Sequence, residues 1–329
     1  MKYHVYAVGN ALVDKEFEVT DEFLKSNNIE KGMMSLLDEE AHITLLDTLK
    51  KEFGLKKRAG GGSAANSIVA ISQFGGKTFY ACKVANDEQG DFYKANLQEA
   101  GVTTFLEKVQ CDGNTGKCMV MVTPDAERTM NTFLGITSDF SEEELHLDEL
   151  KQAEYLYIEG YLVTSDVSRK AAIKAREIAA ENGVKTAMTF SDPSMVTYFS
   201  DGIKEMFADG VDILFCNEEE ALTFTGSENL EDAISALAPK VGKLVITLGS
   251  KGACIVHEGT TTYVDAQKAQ AIDTNGAGDM FAGAFLYGVT HGLSDEQAGN
   301  LANKAAAKVV ATFGARLDKE VHQELLSQV

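Results

Sequence analysis

Basic residues are scarce in this chain: 30 lysines and arginines stand against 50 aspartates and glutamates over 329 residues, a formal net charge of −20. Nucleic acid and anionic membrane surfaces are disfavoured as partners, because their phosphates would be repelled. A small anionic ligand is still allowed, since a local nest of N–H groups can outweigh distant surface charge. Long apolar runs are missing as well. No stretch reaches the roughly 18 apolar residues of a membrane-spanning helix. The apolar run near Met1 is too short for a signal peptide, and Asp14 soon interrupts. Cysteines are few and scattered (Cys82, Cys111, Cys118, Cys216 and Cys254), odd in number and without a Cys-x-x-Cys pair. A reduced, cytoplasmic protein is expected. The six histidines have no metal-ligand spacing, so no zinc site is expected. With three prolines and no repeat or low-complexity tract, no linker marks a domain boundary.

What is present reads as a folded α/β protein, 44% hydrophobic and 24% charged. From residue 153 onward strands and helices alternate. Strands are expected at Tyr155–Glu159, Lys185–Phe190, Ile213–Cys216 and Lys243–Leu248, with helices at 167–182, 200–208, 217–224 and 230–239. That rhythm predicts a mostly parallel sheet covered on both faces. Earlier, Val5–Val8 reads as a buried strand that ends in a turn at Gly9–Asp14. Ligands of open α/β sheets sit beyond strand carboxyl ends, which suits Asn10 and Asp14; a tight turn with Asp14 in solvent accounts for them equally. Helices are expected at about 21–28, 39–53, 64–74 and 88–100, and a strand at Thr78–Val84. Short strands at 17–19 and 33–37, and a hairpin of 117–122 with 127–133, group as a small separate sheet from about 15–37 and 103–135.

The stretch around which the chain is organised is Asp273-Thr274-Asn275-Gly276-Ala277-Gly278-Asp279. Behind it Met280, Phe281, Ala284, Phe285 and Val289 recur at helical spacing, with Gly288 as a small residue. A turn of small residues thus opens into a helix whose first N–H groups are unpaired and lie at the positive end of the dipole. The N–H groups of Gly276, Ala277 and Gly278 could hold a developing phosphate charge. Asp279 beside them is a carboxylate able to take a proton from a hydroxyl. Anion hole and base together suit phosphoryl transfer to an alcohol; a plain capped helix explains the same glycines.

Other strand ends carry chemistry of the same kind. Gly60, Gly62 and Ala65 fit the dinucleotide pattern only formally, since Lys56, Lys57 and Arg58, a solvated charge run, precede them instead of an apolar strand. A helix N-terminus with bare backbone, Asn66 one turn in, is the reading for 60–66. Asn217-Glu218-Glu219-Glu220 puts acids in a first helical turn, either for the dipole or to orient a magnesium ion and its waters. Thr247-Leu248-Gly249-Ser250-Lys251-Gly252 is either a backbone approach to a nucleotide or a hairpin turn. No Gly-x-x-x-x-Gly-Lys-Ser/Thr run exists, so this is not a P-loop enzyme.

Taken in order, these stretches resemble the PfkB (ribokinase-like) family of carbohydrate and nucleoside kinases. Asp273–Asp279 looks like its C-terminal signature and Gly61-Gly62-Ser63-Ala64-Ala65-Asn66, extended to Gly75-Gly76, like its N-terminal one. Asn217–Glu220 matches its Asn-x-x-Glu motif, Thr247–Gly252 its nucleotide-side turn, and Ala302-Asn303-Lys304-Ala305-Ala306 its late helix. The resemblance implies a Rossmann-like α/β/α core, one kinase domain over residues 1–329, with a small β-sheet lid. It implies Asp279 as base and Gly276, Ala277 and Gly278 as anion hole. Asn10, Asp14, Asn66 and the backbone of Gly61 and Gly62 would hold the acceptor's hydroxyls. Thr247, Gly249, Gly252 and Asn303 would line an ATP site, with Asn217 and Glu220 serving phosphate and Mg²⁺, the latter through water. K⁺ near Asp273 is a further family possibility. Within the family, Gly9–Asp14 and Tyr157–Thr164 look most similar to adenosine kinases, which implies that Tyr161 stacks on a purine and Arg128 reaches in from the lid; a packed aromatic and a surface arginine are the plain alternatives. Ser191-Asp192-Pro193-Ser194 departs from that likeness, being polar where an apolar base contact is usual, so a guanosine, inosine or free-sugar acceptor stays open. The implied partner is a small nucleoside or sugar, and the protein a monomer or homodimer; a silent binding protein is the non-enzyme alternative.

Overall fold

The computed structural model describes residues 1–106 and 111–328. Its strands, in chain order, are β1 (Tyr3–Val8), β2 (Leu12–Glu18), β3 (Met34–Leu36), β4 (Lys57–Gly61), β5 (Thr78–Ala81), β6 (Gly116–Val122) and β7 (Arg128–Phe133), followed by β8 (Ala153–Ile158), β9 (Lys185–Thr189), β10 (Val211–Asn217), β11 (Val241–Thr247), β12 (Ala253–His257) and β13 (Thr260–Val264). Eight of them form one sheet in the order β13-β12-β11-β10-β9-β8-β1-β5. From β5 to β11 neighbours run parallel; β12 and β13 are antiparallel additions at one edge. The central strands are apolar on both faces, as a doubly covered sheet demands. Val5, Ala7, Tyr157 and Phe215 face the helices Ser63–Gln73, Ala277–Thr290 and Asp295–Val310. Tyr6, Val8, Ile158 and Leu214 face the helices Asp166–Glu181, Ser200–Phe207 and Leu230–Leu237.

Ala277–Thr290 lies deep in the first layer. Met280, Phe281, Ala284, Phe285 and Leu286 are all buried, so its N-terminus is set on a rigid base. Among the described residues no helix is long and apolar enough to cross a membrane.

The remaining strands form a second sheet, β3-β7-β6-β2-β4. Phe17, Met119 and Met121 on its outer face pack under Phe23 and Leu24 of the helix Asp21–Ser26 and under Leu46 and Leu49 of the helix Glu39–Glu52. The hairpin expected at 117–133 is β6 and β7 in antiparallel register; residues 107–110, within the expected 103–135 stretch, lie outside the described residues. Two local expectations need correction. Residues 12–14 are strand, not turn: Leu12 to Glu16 pair with both Gly116–Val120 and Lys57–Gly61, so Asp14 is buried. Residues 57–61 are likewise strand, and the helix expected at 64–74 runs Ser63–Gln73, after Gly62 turns the chain at φ +97°. Nor are the basic residues simply solvated. Lys57 Nζ donates to the carbonyl of Phe313 (2.8 Å), and Arg58 pairs with Glu88 while lying over the Phe92 ring.

Candidate active site

The loop before the buried helix is held from below. Asp273, fully buried, accepts the N–H of Asn275 on Oδ1 and that of Gly314 on Oδ2, both at 2.8 Å. Gly276 then turns left-handed at φ +75°, and a Cβ there would lie 2.5 Å from that of Ala315, so only glycine fits. Gly278 differs: it is exposed, and a Cβ there would meet no protein atom within 4 Å. The helix Ala277–Thr290 has no side-chain cap; the Ala277 N–H makes a long bond to the Thr274 carbonyl (3.3 Å), and Gly276, Ala277 and Gly278 border a cavity between the two sheets. Thr274 ties the loop to the second sheet, its N–H and its hydroxyl both donating at 3.1 Å to the carbonyl of Ala126, at the β6–β7 turn.

Asp279 sits in the first turn of this helix and borders the same cavity. Ser63 Oγ donates to its Oδ1 at 2.6 Å and Asn66 Nδ2 to its Oδ2 at 2.9 Å. Burial pushes its carboxyl up from the usual range, while those two bonds and the charges of Arg128 and Arg316 pull it back. The carboxylate is thus oriented and still able to take a proton. Across the cavity, Asp14 is buried and no described residue donates to its carboxylate. Burial also raises it well above the ordinary aspartate range. A buried acceptor that opens on a cavity is free to accept a hydrogen bond from a hydroxyl that enters it. Gly61 is the bare wall beside it, since a Cβ there would overlap the Asp14 carboxylate.

Asn10 borders the cavity, but its amide is already committed. Its N–H and Nδ2 donate to Glu159 Oε1 (3.2 and 3.1 Å), and its Oδ1 accepts from Thr137. Glu159 Oε2 takes the N–H of Ala64 at 2.8 Å, so one buried carboxylate joins the end of β1 to the helix that carries Asn66. Burial raises that carboxyl to about 7.

Arg128 and Tyr161 do come together. Both Arg128 Nη atoms donate to Asp192 Oδ2 (3.3 Å), as does the Tyr161 hydroxyl (3.2 Å), and the Tyr161 ring is left facing the cavity. Asp192 is fully buried, and its Oδ1 caps the short helix Pro193–Tyr198 through Ser194. The polar stretch 191–194 is therefore used within the protein, with Ser191 alone of the four bordering the cavity.

On the far side of the anion loop, Asn217 and Thr247 are register partners at the ends of β10 and β11. Asn217 and Glu220 form a reciprocal helix cap: Glu220 Oε2 accepts the Asn217 N–H (2.9 Å), Glu220 Oε1 accepts Asn217 Nδ2 (3.0 Å), and Asn217 Oδ1 accepts the Glu220 N–H (2.7 Å). Burial lifts the Glu220 carboxyl to about 8. Residues 248–252 are a hairpin turn into β12, where Gly252 is required because a Cβ would meet Val264 O at 2.0 Å. Gly249, at φ +58°, borders a shallow groove with Asn217 and Thr247. Gly61, Gly252 and Asn303 do not border the main cavity; Asn303 Nδ2 holds the carbonyls of Val264 and Asp265. Sequence reasoning missed Ser63, Glu159, Asp192 and Arg316 as site residues. Glu159 stands at a strand end and Asp192 in the stretch already marked as unusual, which were the available signals.

Comparison with known proteins agrees with this geometry. The pfkB family carbohydrate kinase profile matches residues 33–321. Adenosine kinase of Saccharomyces cerevisiae is 29% identical over 334 residues, covering 95% of this chain and 96% of its own length. Adenosine kinase from Sinorhizobium meliloti superposes with a TM-score of 0.95 at 33% identity, over 100% of both chains. A probable sugar kinase protein from Rhizobium etli CFN 42 superposes at 0.93 and 32% identity, over 100% of this chain and 99% of its own.

Proposed function

The chain belongs to the pfkB family of carbohydrate kinases, and from that premise we propose that it transfers the γ-phosphoryl group of ATP to the primary hydroxyl of a ribose, with adenosine as acceptor and AMP as product. The observation that carries this reading is the juxtaposition, at one cavity, of an uncapped helix N-terminus, the oriented carboxylate of Asp279 and the undonated carboxylate of Asp14. Similarity to adenosine kinases over nearly the full length supports the acceptor.

Asp14 takes ribose hydroxyls, with Asn66 and the backbone at Gly62 as further partners, while Gly61 behind Asp14 leaves room for its carboxylate. Tyr161 stacks on the purine, and Arg128 adds positive charge from the second sheet. Asn10, through Glu159, holds the shape of that wall. Asp279 removes the proton of the 5′-hydroxyl as it attacks the γ-phosphorus. The N–H groups of Gly276, Ala277 and Gly278 hold the charge that develops on the transferred group. Asn217, Thr247 and Gly249 accept the nucleotide, while Gly252 and Asn303 shape the turn and edge strand beneath it. The whole chain acts as one kinase domain. Its second sheet is the lid, which excludes water so that the bound alcohol is phosphorylated.

Mg²⁺ fits this site as a companion of ATP. Both Glu220 oxygens hold Asn217, so Glu220 would serve the ion through water, and the ion would neutralise charge on the phosphate oxygens. For K⁺, the carboxylate of Glu16, buried beside Gly314 with no hydrogen-bond partner among the described residues, is an oxygen donor of the right class near Asp273. The protein works in the cytoplasm, in keeping with its free cysteines, as a monomer or homodimer; the helical cover on the lid's outer face favours the monomer. The test is product identification: with adenosine and Mg-ATP, AMP and ADP form in equal amounts, faster with K⁺ than with Na⁺. ATP consumption without AMP would overturn the reading.

A further inference from the structure

The turn Gly314-Ala315-Arg316 touches three parts of the site at once. The Gly314 N–H donates to Asp273 Oδ2, and Ala315 fills the space beside Gly276. Arg316 Nε donates to Asn66 Oδ1 at 2.8 Å, and its Nη1 to Asn96 Oδ1 at 2.5 Å. A guanidinium has donors only, so the atom that Asn66 turns towards it must be the carbonyl oxygen. The Asn66 Nδ2 is thereby directed at Asp279 Oδ2, 2.9 Å away. The second sheet leaves room for this arm: a Cβ on Gly60 would lie 2.4 Å from Asn96 Oδ1 and 3.3 Å from Arg316 Nη1.

We propose that Arg316 is a positioning residue for phosphoryl transfer, its planar fork fixing the Asn66 amide so that Asp279 is held with one oxygen on Asn66 and the other on Ser63. The inference rests on the reading of Asp279 as base. Without the fork the Asn66 amide is free to turn its carbonyl towards the carboxylate, and Asp279 keeps Ser63 as its one side-chain donor. A lysine supplies charge at this position but no bidentate geometry. The cations facing Asp279 are Arg128 and Arg316; the acids are Asp14 and Glu159, and the phenols Tyr157 and Tyr161. Removing Arg316 takes away one of the two charges that favour the Asp279 carboxylate, so the acid limb of the rate profile moves to higher pH.

The experiment is steady-state kinetics against pH for Arg316→Met and Arg316→Lys, with Asp279→Asn as reference. Arg316→Met is expected to lose about 10- to 100-fold in kcat, the scale of a small misplacement of a reacting group. Its KM for ATP stays near wild type and its acid limb moves up. Arg316→Lys is expected to lose kcat with the acid limb close to wild type. Wild-type kcat and acid limb in Arg316→Met overturn the proposal, as does a loss of kcat with no movement of the limb. Should Arg316→Met fail to fold, Arg316→Lys decides, and full kcat there overturns the fork. Near-normal turnover in Asp279→Asn would instead remove the base reading itself.

Discussion

Asp279 combines two demands that pull apart: a base must be ionised to accept a proton, yet burial favours its neutral form. Ser63, Asn66 and two arginines shift the balance back towards the carboxylate. Asp279→Asn keeps the shape and removes the base, so kcat should fall by about 10²- to 10⁴-fold while adenosine binding, read by calorimetry, stays close to wild type. Near-normal kcat would contradict the assignment. Glu16 allows a test of stability. Burial raises its carboxyl to about 7 from the ordinary 4.5. A raised folded value means that the stabilising contribution is present below the unfolded value and is lost as pH rises through the folded one. The melting temperature of Glu16→Gln minus that of wild type, measured in K⁺-free buffer, should therefore rise between pH 4.5 and 7.5; a flat or falling difference would contradict the burial argument. At this scale Asn66 and Asp279 were legible, because helix starts expose particular side chains; Asp14 was marked as part of a turn after β1, whereas it stands within β2. Arg316 was not legible: its partner Asn66 is 250 residues away, and nothing local marks it.

The anion loop gives a contrast between two glycines of one element. Gly276 is left-handed and abuts Ala315, so Gly276→Ala forces strain and a clash; about 1–3 kcal/mol is expected for the backbone alone, read as a lower melting temperature. Gly278 faces open space. Gly278→Ala should melt like wild type but lose kcat, because the added methyl intrudes where the phosphoryl group must pass. Equal melting points for the two variants would contradict this division. The helix behind them was readable from its apolar spacing, and β6 with β7 from alternation around a turn. Of β2 only its end was expected, in the short strand at 17–19, and β4 not at all, because β2 pairs with β4 and with β6 across long loops. Glycines in β4 imitate a turn; here they make room for Asp14 and for the Arg316–Asn96 pair.

The whole molecule is a mostly parallel sheet with a second sheet tied over its carboxyl edge by Thr274 and Ala126. The βα rhythm after residue 153 told of the first sheet, since each unit is local. The arrangement of the second over the first depends on contacts between distant segments, and only the family resemblance suggested it. The central claim belongs to this scale: the cavity between the sheets takes a nucleoside and phosphorylates its 5′-hydroxyl. The most direct measurement is kcat/KM with Mg-ATP for adenosine, inosine, guanosine, ribose and fructose, with 5′-deoxyadenosine as an acceptor that lacks the reacting hydroxyl. The account predicts adenosine to be turned over best, the free sugars at least about 100-fold worse for want of the purine contact, a difference of roughly 3 kcal/mol, and 5′-deoxyadenosine to bind without turnover. A free sugar phosphorylated as well as adenosine, or ADP release unchanged by any acceptor, would contradict it.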